Sequence, residues 1–366
     1  MARLGDVCEV INGFAFKSEQ YVDSGIRIIR IANVQKGYLE DAAPVFYPSE
    51  SKEAKKYSLV EDDILMSLTG NVGRVAKLSR EFLPAALNQR VACLRIKDGV
   101  DIDKAFLFNL LNSDYFEQQC ISASKGVAQK NMSTEWLKEY EIPIFSLERQ
   151  RLIAGILDKT TELISLRKQQ LAKLDELVKS RFVEMFGTVH NNVFQFAEGT
   201  LESISYEFFA GGDKPSDCTT ERDEAHPYPV FANGYENEGL QGYSAKCRVT
   251  QPAVTVSARG TIGYCFIREA GFTPVVRLIT IVPNNKVSPV FLKYAIDTMD
   301  IKSSGTSQAQ LTVPDFKRER IIVPPADLQG QFAAFVSQVD KSKLAVQQSI
   351  DQLETLKKSL MQKYFG

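Results

Sequence analysis

The chain has 366 residues, of which 44% are hydrophobic and 24% charged, as expected for a globular protein large enough for two domains. Its 44 Lys and Arg side chains nearly balance 45 Asp and Glu, so the formal net charge of −1 excludes binding to nucleic acid by bulk positive charge alone. No apolar run reaches membrane-spanning length, six cysteines lack paired spacing and two histidines lack ligand-spaced neighbours, so we expect reduced thiols, no metal site, no membrane partner and a cytoplasmic location.

Residues 1–146 are predicted to form a mixed α/β domain. Gly70 and Gly73 follow a strand-like run, without a third glycine at dinucleotide-binding spacing. We therefore expect a tight strand-to-strand turn there rather than a phosphate site. Strands are predicted at 27–31, 63–67 and 91–96, and helix at 103–120.

A long helix is predicted over residues 147–187. Apolar residues recur there every seven positions, which is typical of a coiled-coil seam. At 1.5 Å per residue the helix would be about 55 Å long, more than one small domain covers. A core helix belonging to a single domain is the alternative. The seam residues are Leu157, Ile164, Leu171, Val178 and Met185, and Leu163, Leu174 and Leu177 are expected to widen the apolar stripe.

The remainder of the chain repeats this plan, with a second mixed α/β domain at 188–326 and a second helix at 327–366. The segment KSRFVEMFG at 179–187 returns as KSLMQKYFG at 358–366, and the alignment pairs Gln150 with Gln331. We expect a tandem duplication whose two helices pair with each other. Strands are predicted at 253–257, 277–282 and 320–323, helix at 288–299, seam residues at Phe332, Val339, Val346, Leu353 and Leu360, and further apolar positions at Ile350 and Leu356.

The sequence contains none of the common catalytic motifs. No phosphate-binding loop, no Asn/Asp-Pro-Pro-aromatic methylation motif and no serine nucleophile elbow occurs. Pro314-Asp315 is not followed by the Glu-x-Lys of a nuclease metal site. We therefore expect a chain without catalytic residues and without a bound metal.

Polar side chains recur instead at equivalent turns of the two copies. Arg suits the edge of guanine, and Asn and Gln suit that of adenine. Solvated loop residues are the alternative for each one taken singly. The candidate DNA-binding residues are Ser67, Thr69, Asn71, Arg74, Asn88, Gln89, Arg90, Lys125, Gln129, Lys130 and Asn131 in the first copy, and Ser257, Arg259, Thr261, Ser304, Thr306, Ser307, Gln308 and Gln310 in the second.

The repeated order of a variable globule, a loop such as KGVAQKNMS, a proline segment such as IPIFSLERQ and a long helix resembles the specificity subunit of type I restriction–modification systems. The resemblance implies an α+β fold with two target recognition domains separated by two long antiparallel coiled-coil helices, as a pseudo-twofold tandem repeat. It implies that each domain reads one half of a bipartite, asymmetric DNA target. The helices would set the spacing of the half-sites and dock the modification subunits.

The same resemblance implies the partners. They are double-stranded DNA and two modification subunits that methylate adenine. Cofactors would be absent from this chain, with S-adenosylmethionine and ATP/Mg on partner subunits. Whether restriction subunits join the complex, and which DNA sequence is read, stays open. A stand-alone DNA-binding or scaffold protein and an enzyme with an unrecognised active site are the alternatives from other classes.

Overall fold

The computed structural model describes residues 1–124, 130–188, 191–260, 262–299, 301 and 311–366. The chain divides into two compact units: unit 1 comprises 1–168 and 348–366, and unit 2 comprises 169–347. Both unit boundaries fall inside long helices, so each unit contains one globular part and half of each helix. The domain boundaries predicted from the sequence divide the chain differently, because they treat each long helix as a segment of its own beside the two globular parts.

In the residues that the structure describes, unit 1 is built on three β-sheets. Its strands are β1 (Ala2–Arg3), β2 (Cys8–Asn12), β3 (Ile26–Ile29), β4 (Phe46–Tyr47), β5 (Ile64–Ser67), β6 (Val75–Lys77), β7 (Ala85–Leu87), β8 (Val91–Ile96) and β9 (Glu141–Ile142). An antiparallel sheet has the order β2-β8-β5-β6, a mixed sheet has the order β4-β3-β7, and β1 pairs with β9. Its short helices are α1 (Leu4–Val7), α2 (Lys52–Lys56), α3 (Lys104–Leu111), α4 (Asp114–Ala123) and α5 (Thr134–Glu139).

The four-stranded sheet of unit 1 is buried on both faces, which explains why residues 64–66 of β5 and 91–94 of β8 are apolar in succession rather than alternating. Because side chains alternate along a strand, Ile64 and Leu94 pack on one face together with Phe106 of α3. Leu65 and Cys93 pack on the opposite face in a second cluster. The sheet therefore forms the centre of the unit.

Unit 2 has the same topology in its own residues. Its strands are β10 (Ala197–Thr200), β11 (Ser205–Ala210), β12 (Tyr228–Phe231), β13 (Leu240–Ser244), β14 (Ala253–Val256), β15 (Cys265–Arg268), β16 (Thr273–Pro274), β17 (Ile279–Pro283) and β18 (Arg320–Val323). The sheet orders β11-β17-β14-β15, β13-β12-β16 and β10-β18 match those of unit 1 strand for strand. Helices α7 (Pro289–Asp297) and α8 (Val313–Lys317) correspond to α3 and α5. The predicted tandem repeat of mixed domains is confirmed.

Two 40-residue helices, α6 (Leu147–Phe186) and α9 (Ala326–Phe365), run through the units. Within unit 2, Lys343 Nζ lies 2.5 Å from Asp175 Oδ1, and the rings of Phe182 and Phe332 lie 5.4 Å apart. From Asp175 to Phe182 the residue numbers rise along α6, whereas those of their partners in α9 fall from 343 to 332. The two helices therefore pair antiparallel, as expected from the resemblance. The ten predicted seam residues are all buried or half-buried.

The wider apolar stripe is only partly correct. Ile350 is buried and Leu174 packs against the core of unit 2. Leu163, Leu177 and Leu356 are exposed instead, because two paired helices cover less than the full width of the stripe.

The first turns of α6 and α9 are fixed by buried glutamines. Gln150 Nε2 donates to the carbonyl oxygen of Phe145 at 2.9 Å, and Gln329 Nε2 donates to that of Pro324 at the same distance. Gln331 is exposed. The counterpart of Gln150 is therefore Gln329, and the predicted pairing with Gln331 is wrong.

Candidate nucleic-acid interface

The turn between β5 and β6 is closed by Ser67. Its N–H donates to Arg74 O at 2.9 Å and its carbonyl oxygen accepts from Gly73 N–H at 3.1 Å. Its hydroxyl donates to the carbonyl oxygen of Asn71 and accepts from the N–H of Arg74. Gly70 and Gly73 have φ of 74° and 88°, values that favour glycine, which confirms the predicted tight turn. Ser67 is buried, so its hydroxyl shapes the turn rather than facing a ligand.

The turn between β14 and β15 is built in the same way. Ser257 N–H donates to Tyr264 O at 2.9 Å, and Gly263 N–H donates to Ser257 O at 3.0 Å. The Ser257 hydroxyl accepts from Gly234 N–H at 3.3 Å. The two predicted serines are therefore equivalent, and both are buried within their turns.

Unit 1 carries a polar cleft of about 480 Å³ that brings several predicted residues together. The Thr69 hydroxyl donates to Asn131 Oδ1 at 2.8 Å, which joins the β5–β6 turn to the segment before α5. Leu68 N–H donates to Arg90 O at 3.0 Å, which adds the turn before β8. This Thr69 cleft is lined by Asn12, Leu68, Thr69, Gln89, Arg90, Asn131, Met132, Ser133 and Thr134.

The Thr69 cleft offers exposed donors and acceptors. Gln89, Arg90 and Asn131 are exposed, and the side chains of Gln89 and Arg90 have no hydrogen-bond or ion-pair partner among the residues the structure describes. Two amides in one concave surface can read adenine edges, and a guanidinium beside them can bind either a guanine edge or a phosphate. Chemically, the cleft suits a polar, planar ligand edge.

The other predicted residues of unit 1 that the structure describes lie outside the cleft lining. Arg74 is half-buried, and its Nη1 donates to Gln35 Oε1 at 2.7 Å. Asn71 and Lys130 are exposed, and Asn88 is half-buried. The predicted set therefore divides into a cleft, a turn scaffold and flanking residues.

Unit 2 has Arg259 where unit 1 has Thr69. Leu311 N–H donates to Ala258 O at 3.0 Å, as Met132 N–H does to Leu68 O at 2.9 Å. Arg259, the next residue, is exposed. A cation thus replaces a hydroxyl at this position of the repeat.

Arg277 is a further candidate that the sequence analysis missed. Val276 N–H donates to Gly212 O at 2.8 Å, as Gln89 N–H donates to Phe14 O at 2.9 Å, so Arg277 occupies the position of Arg90. Apolar Val275 and Val276 replace Asn88 and Gln89, and the polar cluster is lost. In both copies an arginine comes shortly before a strand of the four-stranded sheet, in RVACLRI at 90–96 and RLITIV at 277–282. This shared arginine is the sequence feature from which Arg277 could have been predicted.

The loop at 232–239 connects the two arginine-bearing turns of unit 2. Asn233 Nδ2 donates to Val276 O at 2.6 Å, and its Oδ1 accepts from Ala258 N–H at 2.7 Å. One amide side chain therefore holds the backbones next to Arg259 and Arg277 together.

Arg268 anchors the same loop from inside the unit. Its Nη1 lies 2.8 Å from Glu238 Oε2, and its Nε donates to Thr255 Oγ1 at 3.0 Å. Burial lowers the pKa of Arg268 from its ordinary value, and the charge of Glu238 opposes that shift. The guanidinium also lies 3.7 Å from the ring centroid of Phe231. A buried cation with these partners fixes the loop that carries Asn233.

The described residues include no group of three or more His, Cys, Asp or Glu side chains that could hold a metal ion. In the same residues, no helix has the length and apolar character needed to cross a membrane.

Several predicted residues fall outside the described part of the chain. They are Lys125, Gln129, Thr261, Ser304, Thr306, Ser307, Gln308 and Gln310.

Comparison with known proteins matches a family model described as the type I restriction modification DNA specificity domain, over residues 1–176 and 206–355. A putative type I specificity subunit of Mycoplasma pneumoniae is 29% identical over 207 residues, 57% of this chain and 57% of that protein, so the chain spans little more than half of that relative. The putative MjaX specificity subunit of Methanocaldococcus jannaschii is 24% identical over 98% of this chain and 90% of the relative. The crystal structure of a type I S subunit from M. genitalium covers 100% of this chain and 95% of its own, with a TM-score of 0.59 and 17% identity.

Proposed function

Since the chain belongs to the family of type I restriction–modification DNA specificity subunits, we propose that it reads a bipartite, asymmetric DNA target, one half-site for each unit. Unit 1 reads its half-site through the Thr69 cleft, and unit 2 through the corresponding surface. The chain supplies sequence recognition but no catalytic group. S-adenosylmethionine, ATP and Mg²⁺ belong to partner subunits.

The observation that carries the proposal is a repeated frame with diverged side chains. The two units share strand order and turn hydrogen bonds, yet Thr69 corresponds to Arg259 and Gln89 to Val276. Base contacts determine the DNA sequence that is recognised, whereas contacts within the protein scaffold do not. Two units with the same backbone framework and different exposed side chains therefore support two different half-sites.

An exposed apolar stripe on α6 supports docking of a modification subunit. Leu152, Ile156, Leu163 and Leu166 lie within about 80° of arc on the helix at 100° per residue, and all four are exposed. A row of exposed leucines and isoleucine is unusual on a surface that meets only water. We assign this α6 stripe to a modification subunit and expect two such subunits in the complex.

The near-zero net charge also supports a partner-dependent complex. A protein that carries 44 basic and 45 acidic side chains gains little from counterion release by itself. Partner subunits would supply the remaining positive surface around the duplex. The isolated chain is therefore expected to bind DNA weakly and without nanomolar specificity.

The test is a genome-wide map of adenine methylation in cells that express modification subunits with and without this chain. We expect one motif, present only with the chain, consisting of two different half-sites separated by unspecified bases. A continuous or palindromic motif would refute the bipartite reading. Methylation that is independent of the chain would refute its role in specificity.

A further inference from the structure

Two exposed arginines of unit 2 are held in place without any side-chain partner. The side chains of Arg259 and Arg277 make no hydrogen bond, ion pair or ring contact within the described ranges 191–260, 262–299 and 311–366, although the backbone N–H of Arg277 donates to Gly211 O at 3.0 Å. Their neighbours Ala258 and Val276 are both bonded to the side chain of Asn233, at 2.7 and 2.6 Å. The two arginines are therefore carried by backbone segments that Asn233 holds together, and their guanidinium N–H groups are available to a ligand.

The Val276–Arg277 turn is strained. Its two residues have φ of 53° and 63°, and a β-branched residue such as Val276 rarely adopts a positive φ. Such conformations persist where the surroundings enforce them, and they cluster at functional sites. Here the enforcing contacts are the bonds from Val276 N–H to Gly212 O and from Asn233 Nδ2 to Val276 O.

Comparison of the two units distinguishes Arg259 from Arg277. Arg277 corresponds to Arg90, so this position carries the same cation in both units. Arg259 corresponds to Thr69, so that position differs. Phosphate contacts carry no sequence information and can be identical in two recognition domains, whereas at least some base contacts must differ if the half-sites differ.

We propose that Arg259 reads a guanine in the half-site of unit 2, and that Arg90 and Arg277 are equivalent phosphate contacts in the two half-sites. This division rests on the proposed function. Arg259 presents two parallel N–H donors that match O6 and N7 of guanine in the major groove. Thr69, which is already bonded to Asn131, cannot make that bidentate contact in unit 1.

The first experiment changes Arg259 in the full chain, assembled with modification subunits. Arg259→Thr installs the residue of the other unit, and Arg259→Lys keeps the charge but removes the planar fork. Both variants are expected to leave the half-site of unit 1 unchanged and to accept other bases at one G·C position of the second half-site. Binding to the wild-type target should fall about 5- to 150-fold.

The second experiment changes Arg277 and Arg90. Arg277→Ala and Arg90→Ala are each expected to keep the motif unchanged, to weaken binding uniformly across related targets, and to reduce the slope of log K against log salt by about 0.9. Arg277→Lys should retain most of the binding, since a phosphate accepts a point charge.

The outcomes separate this inference from the proposed function. An unchanged motif with Arg259→Lys and Arg259→Thr, or equal losses on wild-type and guanine-substituted duplexes, overturns base reading by Arg259. A relaxed motif with Arg277→Ala overturns its assignment as a phosphate contact. In both cases the wild-type complex still yields a bipartite motif. Absence of that motif with the wild-type chain would instead refute the proposed function.

Discussion

Gln150 ties the start of α6 to the start of α3, because its Oε1 accepts a hydrogen bond from the backbone N–H of Asp103 at 2.8 Å. Asp103 in turn caps α3 by accepting from Phe106 N–H at 3.0 Å. Gln329 makes the same connection to Ser288, the N-cap residue of α7, also at 2.8 Å. Each long helix is thus joined to its globular part by one buried amide.

Replacing this amide should destabilise the unit that contains it. Gln150→Leu and Gln329→Leu each leave a buried N–H and two carbonyl oxygens without their partner, so we expect a loss of about 2–4 kcal/mol in the free energy of unfolding. Urea denaturation measures it. Gln331→Leu is the matched control on an exposed site and should change the value by less than about 0.5 kcal/mol. Equal losses at Gln329 and Gln331 would contradict the structural alignment.

The alignment of Gln150 shows what sequence could and could not predict. Gln329 and Gln331 both follow the proline segment and differ by about 200° around the helix, so letters alone cannot decide which one is buried. The seam at Leu157 or Val346 was predictable, since a period of seven is visible in one dimension. The bounds of α6 and α9 and the strand at 91–96 followed from the same local patterns, whereas the single helix predicted at 103–120 is divided into α3 and α4.

The composition of the Thr69 cleft was beyond a linear reading. Its side chains come from β2, the β5–β6 turn, the turn before β8, the segment before α5 and the first residue of α5. Thr69 and Asn131 meet only because the backbone pairs Leu68 with Met132. Arg277 was missed as a candidate because apolar Val275 and Val276 replace the polar neighbours of Arg90, although an arginine precedes the strand in both copies.

Stability should fall in alkaline solution because of buried protonated groups. Burial raises the pKa of the Cys8 thiol to about 12, and burial likewise raises the pKa of Tyr294 to about 12. In the unfolded chain the pKa values of a cysteine thiol and a tyrosine hydroxyl are about 8.5 and 10. Between those values and pH 12 the unfolded chain releases protons that the folded chain retains, so stability present at pH 8 is lost as the pH rises.

The thiol contribution can be isolated by urea denaturation between pH 8 and 11. Cys8→Ala should flatten the decline in unfolding free energy over that range relative to the wild type. A Cys8→Ala variant with the wild-type slope would show that this thiol does not contribute.

The α6 stripe should determine assembly without affecting folding. Leu152→Asp combined with Leu163→Asp places two charges on the exposed apolar row, so we expect loss of co-purification with the modification subunits and loss of methylation. The unfolding free energy should stay within about 0.5 kcal/mol of the wild type. Ser165→Asp adds a charge on the exposed side of α6 away from the stripe and should assemble normally. Normal assembly of the double variant would place the docking surface elsewhere.

The helices should act as a ruler for the DNA spacer. Inserting four helix-forming residues after Lys168 in α6, together with four after Gln347 in α9, lengthens both helices by about 6 Å and rotates each by about 400°, only about 40° beyond a full turn. The seam is therefore retained, and the rise of about 3.4 Å per base pair predicts a spacer longer by one or two base pairs with both half-sites unchanged. Two-residue insertions rotate the seam by about 200°, which turns the apolar residues away from their partners, so these variants should fail to assemble. Methylation mapping reads both outcomes, and an unchanged spacer in the four-residue variant would mean that these helices do not measure the DNA.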